Sequence, residues 1–392
     1  MAAEERGRAL VAAARAWAEG ALARAGLAAP LDAVAIDGAG LAEAVAELTR
    51  RDGREGAEAV WAAAAVAALG GRMALLAASG GGAVGAGAVL EETFLGPLDV
   101  LDDARAGVAI AATADGTLAL QAPTPLHREL LAGLFGVAEP GDWRDAVPGW
   151  AGRRGTEEAV ELLQDLGLPA FAVASAPRAT TRDAPAPSPP GRLDDVLAIE
   201  LGGLWAAPYA TKLLAERGAR ALKVEAPSRP DGTRRGPAGW FATLNEGKEL
   251  ISLDLRRDAD RARLLARLGP RTVVIENNTD RVLGNLGLPP AVFAARGAAL
   301  VRLPASRLAP ARRGLGTTIE LAAGLGRPGP DGRLAPAPIP LTDPLAGAAA
   351  ALAALGALAG GPRLRVVGQL EDVAVPLALA ARAAERTGVG AR

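Results

Sequence analysis

The chain of 392 residues has no cysteine, one histidine (His127), one tyrosine (Tyr209) and two methionines. Of its 43 basic residues only Lys212, Lys223 and Lys248 are lysine, the rest being arginine. These scarcities exclude whole classes of chemistry. Without cysteine there is no thiolate nucleophile, no disulfide framework and no cysteine-bound zinc or iron–sulfur site. One histidine cannot build a multi-histidine metal centre, and it leaves a single candidate base for a serine triad. No metal site is expected, and catalysis falls to a carboxylate or to backbone dipoles.

What is present describes a folded protein: 50% hydrophobic and 22% charged residues, a balance unlike that of disordered chains. A formal net charge of −1 gives no nucleic-acid footprint, which needs a local excess of cations. Alanine makes up roughly a quarter of the chain, well above ordinary usage, and together with the arginine bias this reads as genome composition. The N-terminus is charged and lacks the apolar core of a signal peptide. The most membrane-like stretch, Leu345–Gly361, is uncharged but mostly alanine and glycine, and reads as a buried helix. A cytoplasmic protein without membrane or nucleic-acid partners is expected.

The length suggests two domains, or one with a satellite. Residues 1–78 form an Ala-rich helical region. Residues 79–175 open on the glycine-rich stretch Ser79–Gly87, read as a flexible linker, and continue into a hairpin at Gly107–Thr113 and Thr117–Gln121, with helices at Pro125–Phe135 and Thr156–Leu166. Proline, serine and threonine mark a linker at 176–192. From 193 to 392 strands and helices alternate. Strands are expected at Asp195–Leu201, Ala221–Glu225, Ile251–Leu255, Thr272–Glu276 and Ala299–Leu303, and helices at Ala207–Arg217, Asp258–Leu268 and Pro290–Arg296. Such alternation predicts an α/β fold, a Rossmann-like parallel sheet with helices on both faces, beside a smaller α+β region. Ligands then sit at the carboxyl ends of the strands. A dinucleotide reading fails on the glycines: Gly202-Gly203-Leu204-Trp205 is not G-x-G-x-x-G.

Five pieces between Val196 and Leu303 resemble family III CoA-transferases, the CaiB/BaiF family. They are Ile199-Glu200-Leu201 with Trp205–Ala210; Gly218–Glu225; Leu244-Asn245-Glu246-Gly247-Lys248 leading to Ser252–Leu255; Val274–Asn278; and Val282-Leu283 with Leu286-Gly287-Leu288. All three lysines fall within this segment. The resemblance points to Asp343, in Thr342-Asp343-Pro344-Leu345-Ala346-Gly347, as the nucleophile that attacks the acyl-CoA thioester. The plain alternative is a helix N-cap followed by proline at the first helical position. The two roles are compatible, because a helix dipole keeps a capping carboxylate ionised. The resemblance further implies an aspartyl-CoA intermediate and transfer of CoA to a free carboxylic acid, with CoA a substrate and no permanently bound cofactor. For CoA it offers Leu204, Trp205, Ala206, Leu244, Lys248, Asn277 and Asn278. Against these, Trp205 also reads as core, Lys248 as a solvated turn residue, and Asn277-Asn278 as a helix cap.

The N-terminal half resembles the C-terminal part of the same family, out of order. The matching pieces are Ala114–Leu120, His127, Leu134-Phe135-Gly136, Asp142-Trp143, Leu166–Ala170 and Val173. Ala226 and Asn285 stand where some members carry CoA-binding arginines. Two other readings stay open: a non-catalytic acyl-CoA-binding or partner subunit, and an acyl-CoA racemase, against which the placement of His127 speaks. The family implies a homodimer.

Overall fold

The computed structural model describes residues 2–25, 27–38, 40–101, 104–176 and 192–387; the expected linker at 176–192 lies almost wholly outside them. The Ala-rich run forms three helices, α1 (Ala2–Ala25), α2 (Leu41–Asp52) and α3 (Ala57–Ala78), as the low conformational cost of alanine in a helix dictates. α3 is apolar on every side, which marks a buried helix. By length and composition it is able to cross a membrane, yet 89% of its apolar window is buried within the fold. Two strands that periodicity did not reveal, β1 (Val34–Asp37) and β2 (Gly82–Gly85), pair in parallel. The glycine stretch is therefore ordered structure rather than a linker, entered through positive φ at Gly80, Gly81 and Gly82.

A satellite follows. β3 (Val108–Ala112), β4 (Thr117–Gln121) and β5 (Ala170–Ala172) make an antiparallel sheet. Helices α4 (Pro125–Phe135), α5 (Trp143–Ala151) and α6 (Thr156–Asp165) accompany it. Leu118, Leu120, Trp143, Trp150 and Leu163 fill its separate core.

Beyond residue 192 lie β6 (Leu197–Glu200), β7 (Arg220–Glu225), β8 (Glu249–Ser252), β9 (Thr272–Glu276), β10 (Ala299–Arg302) and β11 (Leu364–Val366). They form one parallel sheet in the order β11-β10-β9-β6-β7-β8. Its main helices are α7 (Ala206–Ala215), α8 (Trp240–Asn245), α9 (Asp258–Leu265), α10 (Gly316–Ala322), α11 (Thr342–Leu358) and α12 (Val375–Thr387). β9 and β10 are buried along their whole length, as expected of strands covered on both faces. Ile199, Leu222 and Val274 face one apolar layer, while Ala198, Val273 and Val301 face the other.

That second layer is shared with the N-terminal helices: one cluster runs from Leu10 through Trp61 and Leu352 to Ala381. The boundary expected at residue 78 is thus not a packing boundary. Arg72 and Lys212 form a ring with Glu92 and Glu216, at 2.8 Å for Arg72–Glu216 and 2.7 Å for Lys212–Glu92. Buried Arg365 donates to the Ala25 carbonyl at 2.6 Å, and Arg217 donates to Ser79 Oγ at 2.7 Å.

α11 is the hub. It packs on α1, α3, α7, α10 and β10. Its approach to α7 depends on Gly347, where an added Cβ would stand 2.8 Å from the Ala206 carbonyl oxygen and 3.0 Å from the Tyr209 ring. A Gly347→Ala variant should therefore lose about 1–3 kcal/mol of stability from overpacking, read as a lowered urea midpoint; an unchanged midpoint would contradict this contact.

Candidate active site

The sheet order creates a crevice. From β6 the chain proceeds to β7 on one side, while β9 on the other side proceeds to β10. The carboxyl ends of β6 and β9 therefore flank the switch point where α/β sheets bind ligands. The turn after β6 carries Leu204 at φ 67°, the one non-glycine residue with positive φ among the described residues. Backbone in that region stores on the order of 1–3 kcal/mol and needs firm support.

The support is a network of buried charges. Asp231 accepts from the Leu204 N–H at 3.2 Å and from Lys223 at 2.7 Å. Lys223 also pairs with Glu200, which accepts in turn from Lys248 at 2.8 Å and Thr211 at 2.7 Å. Two ammonium groups offset two carboxylates, so the cluster carries no net charge, the condition under which such burial is tolerated. From the other strand, Asn277 accepts from the Gly203 N–H at 3.1 Å and donates to its carbonyl at 2.9 Å. Asn278 donates to the Leu201 carbonyl at 2.7 Å.

The residues proposed from sequence for CoA differ in kind. Leu204 is 46% exposed, and Asn277 and Asn278 are half-buried. Trp205, Ala206 and Leu244 are buried, with Trp205 packed edge-on against Trp240 at 4.9 Å. Lys248 corrects the sequence expectation. It is neither a solvated turn residue nor a free cation for phosphate, because its fully buried ammonium is held by Glu200, by the Pro208 carbonyl at 2.7 Å and by Asn245 at 3.0 Å. Burial pushes it down to about 8, with Glu200 opposing. Arg234, which sequence reasoning passed over, has its guanidinium carbon 3.6 Å from the centre of the Phe241 ring and pairs with Glu225.

Asp343 sits at the start of α11. One helical turn separates it from Gly347 on the same face, the residue that touches the start of α7. The expected N-cap geometry is not found. The helix begins at Thr342 behind Leu341, Asp343 occupies its first turn, and no side chain of the segment itself caps it. The capping role falls to Glu320 of α10, which accepts from the Leu341 N–H and from the Thr342 N–H at 3.0 Å. The Thr342 hydroxyl lies 3.2 Å from both that carboxylate and the Gly316 carbonyl.

Asp343 is left bare. Burial alone pushes it up to about 7, with no hydrogen bond or ion pair opposing, so the expectation that the dipole holds it low is reversed. Gly316 makes the room: an added Cβ would stand 3.0 Å from the carboxylate. Glu320 rises to about 8, first through burial and further through Asp343, against its bonds from Thr342 and Leu341 and the charge of Arg54. The satellite steadies α10 from behind, since Ala174 N–H donates to the Leu321 carbonyl at 3.2 Å. The adjoining loop is fixed by Arg313 N–H donating to Gln164 at 2.8 Å. Glu320 was not anticipated, although an acid inside the apolar run Ile319–Leu325 was a visible signal. On the opposite face of α11 a small cavity of about 60 Å³ is lined by Trp17, Arg24, Leu345, Ala349 and Leu352. No cluster of metal-ligating side chains occurs among the described residues.

Residues 193–386 match the sequence model of CoA-transferase family III. The chain is 39% identical over 97 residues to a succinyl-CoA:mesaconate CoA-transferase of Haloarcula hispanica, covering 22% of this chain and 24% of that one. It is 36% identical over 105 residues to an acetyl-CoA:oxalate CoA-transferase of Acetobacter aceti, at 25% and 27% coverage. The chain thus spans about a quarter of the length of these relatives. Among solved structures, Rv3272 of M. tuberculosis aligns at 26% identity and a TM-score of 0.43, over 49% of this chain and 56% of that one. A CAIB/BAIF family protein of Brucella suis aligns at 24% identity and a TM-score of 0.42, over 50% and 58%.

Because Asp343 rises from 3.8 to about 7 on folding, the native state holds a proton that the unfolded chain releases. Stability therefore falls as pH rises between those values. Asp343→Asn removes this loss and should melt at higher temperature than the wild type at pH 8, by more than about 1 kcal/mol, with the difference largely gone at pH 4. A pH-independent difference in thermal melting would refute the assignment.

Proposed function

Because its C-terminal half, residues 193–386, belongs to CoA-transferase family III, we propose that this protein moves CoA from an acyl-CoA thioester to a free carboxylic acid, with Asp343 as nucleophile. The observation that carries the reading is a bare, desolvated carboxylate at the start of α11, one turn from the α7 contact beside the switch-point crevice.

An Asp343 oxygen attacks the thioester carbonyl carbon and the C–S bond breaks, giving an acyl-aspartyl anhydride and CoA thiolate. The thiolate attacks the aspartyl carbonyl, releasing the first acid as its carboxylate and leaving an aspartyl-CoA thioester. The incoming carboxylate attacks that thioester and expels thiolate. Thiolate then attacks the incoming acyl group, restoring the Asp343 carboxylate. No proton is gained or lost over the cycle, so a site without histidine is equal to it. Backbone N–H groups are the candidates to meet the oxyanions. Leu204, Asn277 and Asn278 border the crevice for CoA, and the charges beneath them hold it in shape. The names of the relatives pair acyl-CoA with mesaconate or oxalate, which makes a small dicarboxylic acid the acceptor class to try first.

The test is to incubate the protein with succinyl-CoA, trap with hydroxylamine or borohydride and map the modified carboxylate by mass spectrometry. Modification at Asp343, rising with pH through about 7 as the group ionises, is the expected result. CoA binding without an adduct would instead favour a binding subunit. Exchange of the substrate α-proton without transfer would favour the racemase. Gly316→Ala should lower adduct formation by about tenfold or more, since the added methyl crowds the carboxylate and a displacement of about an ångström can cost a reacting group about a hundredfold.

A further inference from the structure

The end of α1 overlies the cavity of about 60 Å³ on the face of α11 opposite Asp343. The buried side chains of Leu345, Leu352, Val367 and Val373 form its floor, and its half-buried rim includes Trp17, Arg24 and Asp372. The Arg24 guanidinium lies back along α1, its carbon 5.5 Å from the centre of the Trp17 ring. Gly20 permits this course, since a Cβ there would stand 3.2 Å from Arg24 Nη1. Among the described residues no carboxylate pairs with Arg24; burial holds it below its ordinary value, with the charge of Asp372 opposing. Asp372 is engaged elsewhere, accepting from the Gly368 N–H at 2.8 Å and lying 3.4 Å from Arg307. Arg365, which donates to the Ala25 carbonyl at 2.6 Å, adds a second positive charge to the lining.

We propose that this cavity binds a short-chain monocarboxylate, its carboxylate on the Arg24 guanidinium and its alkyl chain against Leu345, Leu352 and Val373. Two guanidinium groups and one carboxylate leave the lining with an excess of positive charge. A cation drawn partly out of water without an ionic partner is costly until an anion meets it, and a planar carboxylate matches the fork of arginine. The floor selects the rest of the ligand. Inorganic phosphate or sulfate carries polar oxygens on every side, which apolar walls leave without partners, whereas a monocarboxylate turns only carbon toward them. The volume is about twice the ~30 Å³ that one water takes in the liquid, which leaves room for roughly two or three carbons. The cavity stands apart from Asp343, so the proposal does not depend on that residue reacting.

The experiment needs no turnover. Propionate is titrated by ligand-observed NMR, at constant ionic strength, into the full-length wild type and the Arg24→Gln, Ala349→Leu and Asp343→Asn variants. Circular dichroism checks that each protein is folded. Saturable binding by the wild type is expected, and Arg24→Gln should weaken it by about tenfold or more, the scale of losing a hydrogen bond to a charged group. Propionamide, alike in shape but uncharged, should bind the wild type more weakly than propionate, a comparison that needs no variant. Ala349→Leu should also weaken binding, because its longer side chain fills the cavity, and Asp343→Asn should leave it unchanged. Absence of saturable binding overturns the proposal, as does equal binding of propionamide or wild-type affinity in either folded cavity variant. A loss confined to Asp343→Asn overturns it by placing the carboxylate at Asp343. Displacement of propionate by an equal concentration of sulfate overturns it by showing an unselective anion site.

Discussion

The buried start of α11 is the constraint to which the rest of the structure answers. A helix whose first turn lies largely within the protein must find partners for its free N–H groups. The donors at Leu341 and Thr342 find theirs in the carboxyl of Glu320, on a separate helix. Two acids then share one small volume, and each suffers for it: burial lifts Asp343 to about 7, and burial with the nearby Asp343 charge lifts Glu320 to about 8. Perturbation of this kind, with a specific partner and a confined space, is where functional sites are found.

Keeping that volume closed is the work of the first 78 residues, for which the sequence offered no role. α1 and α3 cover the sides of α11 that α7 and the sheet leave open. Arg54, itself paired with Asp52 with both side chains fully buried, donates to the Ala335 carbonyl at 3.1 Å and ties the segment ahead of α11 to the turn between α2 and α3. The satellite holds α10 from the other side through Gln164 and Ala174. The N-terminal helices and one face of the parallel sheet thus share a core around one helix start.

The parts of this that sequence reveals are those governed by local patterns. β9 and α4 fall at the expected residues, because a fully buried strand and a Thr124 cap with proline behind it are readable within a few positions. β8 was expected at Ile251–Leu255 but is Glu249–Ser252. The buried side chains there, Leu253 and Leu255, belong to the turn after the strand, so apolar pattern and strand part company. β1 and β2 are four residues each, one of them half glycine, and carry no usable period. Asp343 stands in the first turn of a helix, where its local Asp-Pro pattern suggested a cap. The cap is a tertiary contact with a residue 21 and 22 positions from the two donors, and nothing in the segment records it. All three lysines fall in the family-like segment, and two of them, Lys223 and Lys248, put a compact ammonium into a closed network around Glu200, a geometry unlike the wide fork of arginine.

This last point bears on why the site is built from burial rather than from neighbours. A carboxylate paired with arginine or held by several donors is ionised at pH 7 but a poor nucleophile, since those same interactions must be broken as its charge leaves. Asp343 takes the opposite course. Removal from water makes it a stronger base, and a stronger base attacks better, at the expense of the ionised fraction; near pH 7 the two effects balance. A site with a general base can recover that fraction by moving a proton. This one has no histidine in reach, His127 lying on α4 in the satellite, and a cycle between carboxylates requires none. The scarcity that opens the sequence and the bare acid at its centre are therefore consistent: where no proton need move, a desolvated carboxylate and a helix start relieved of its own donors suffice.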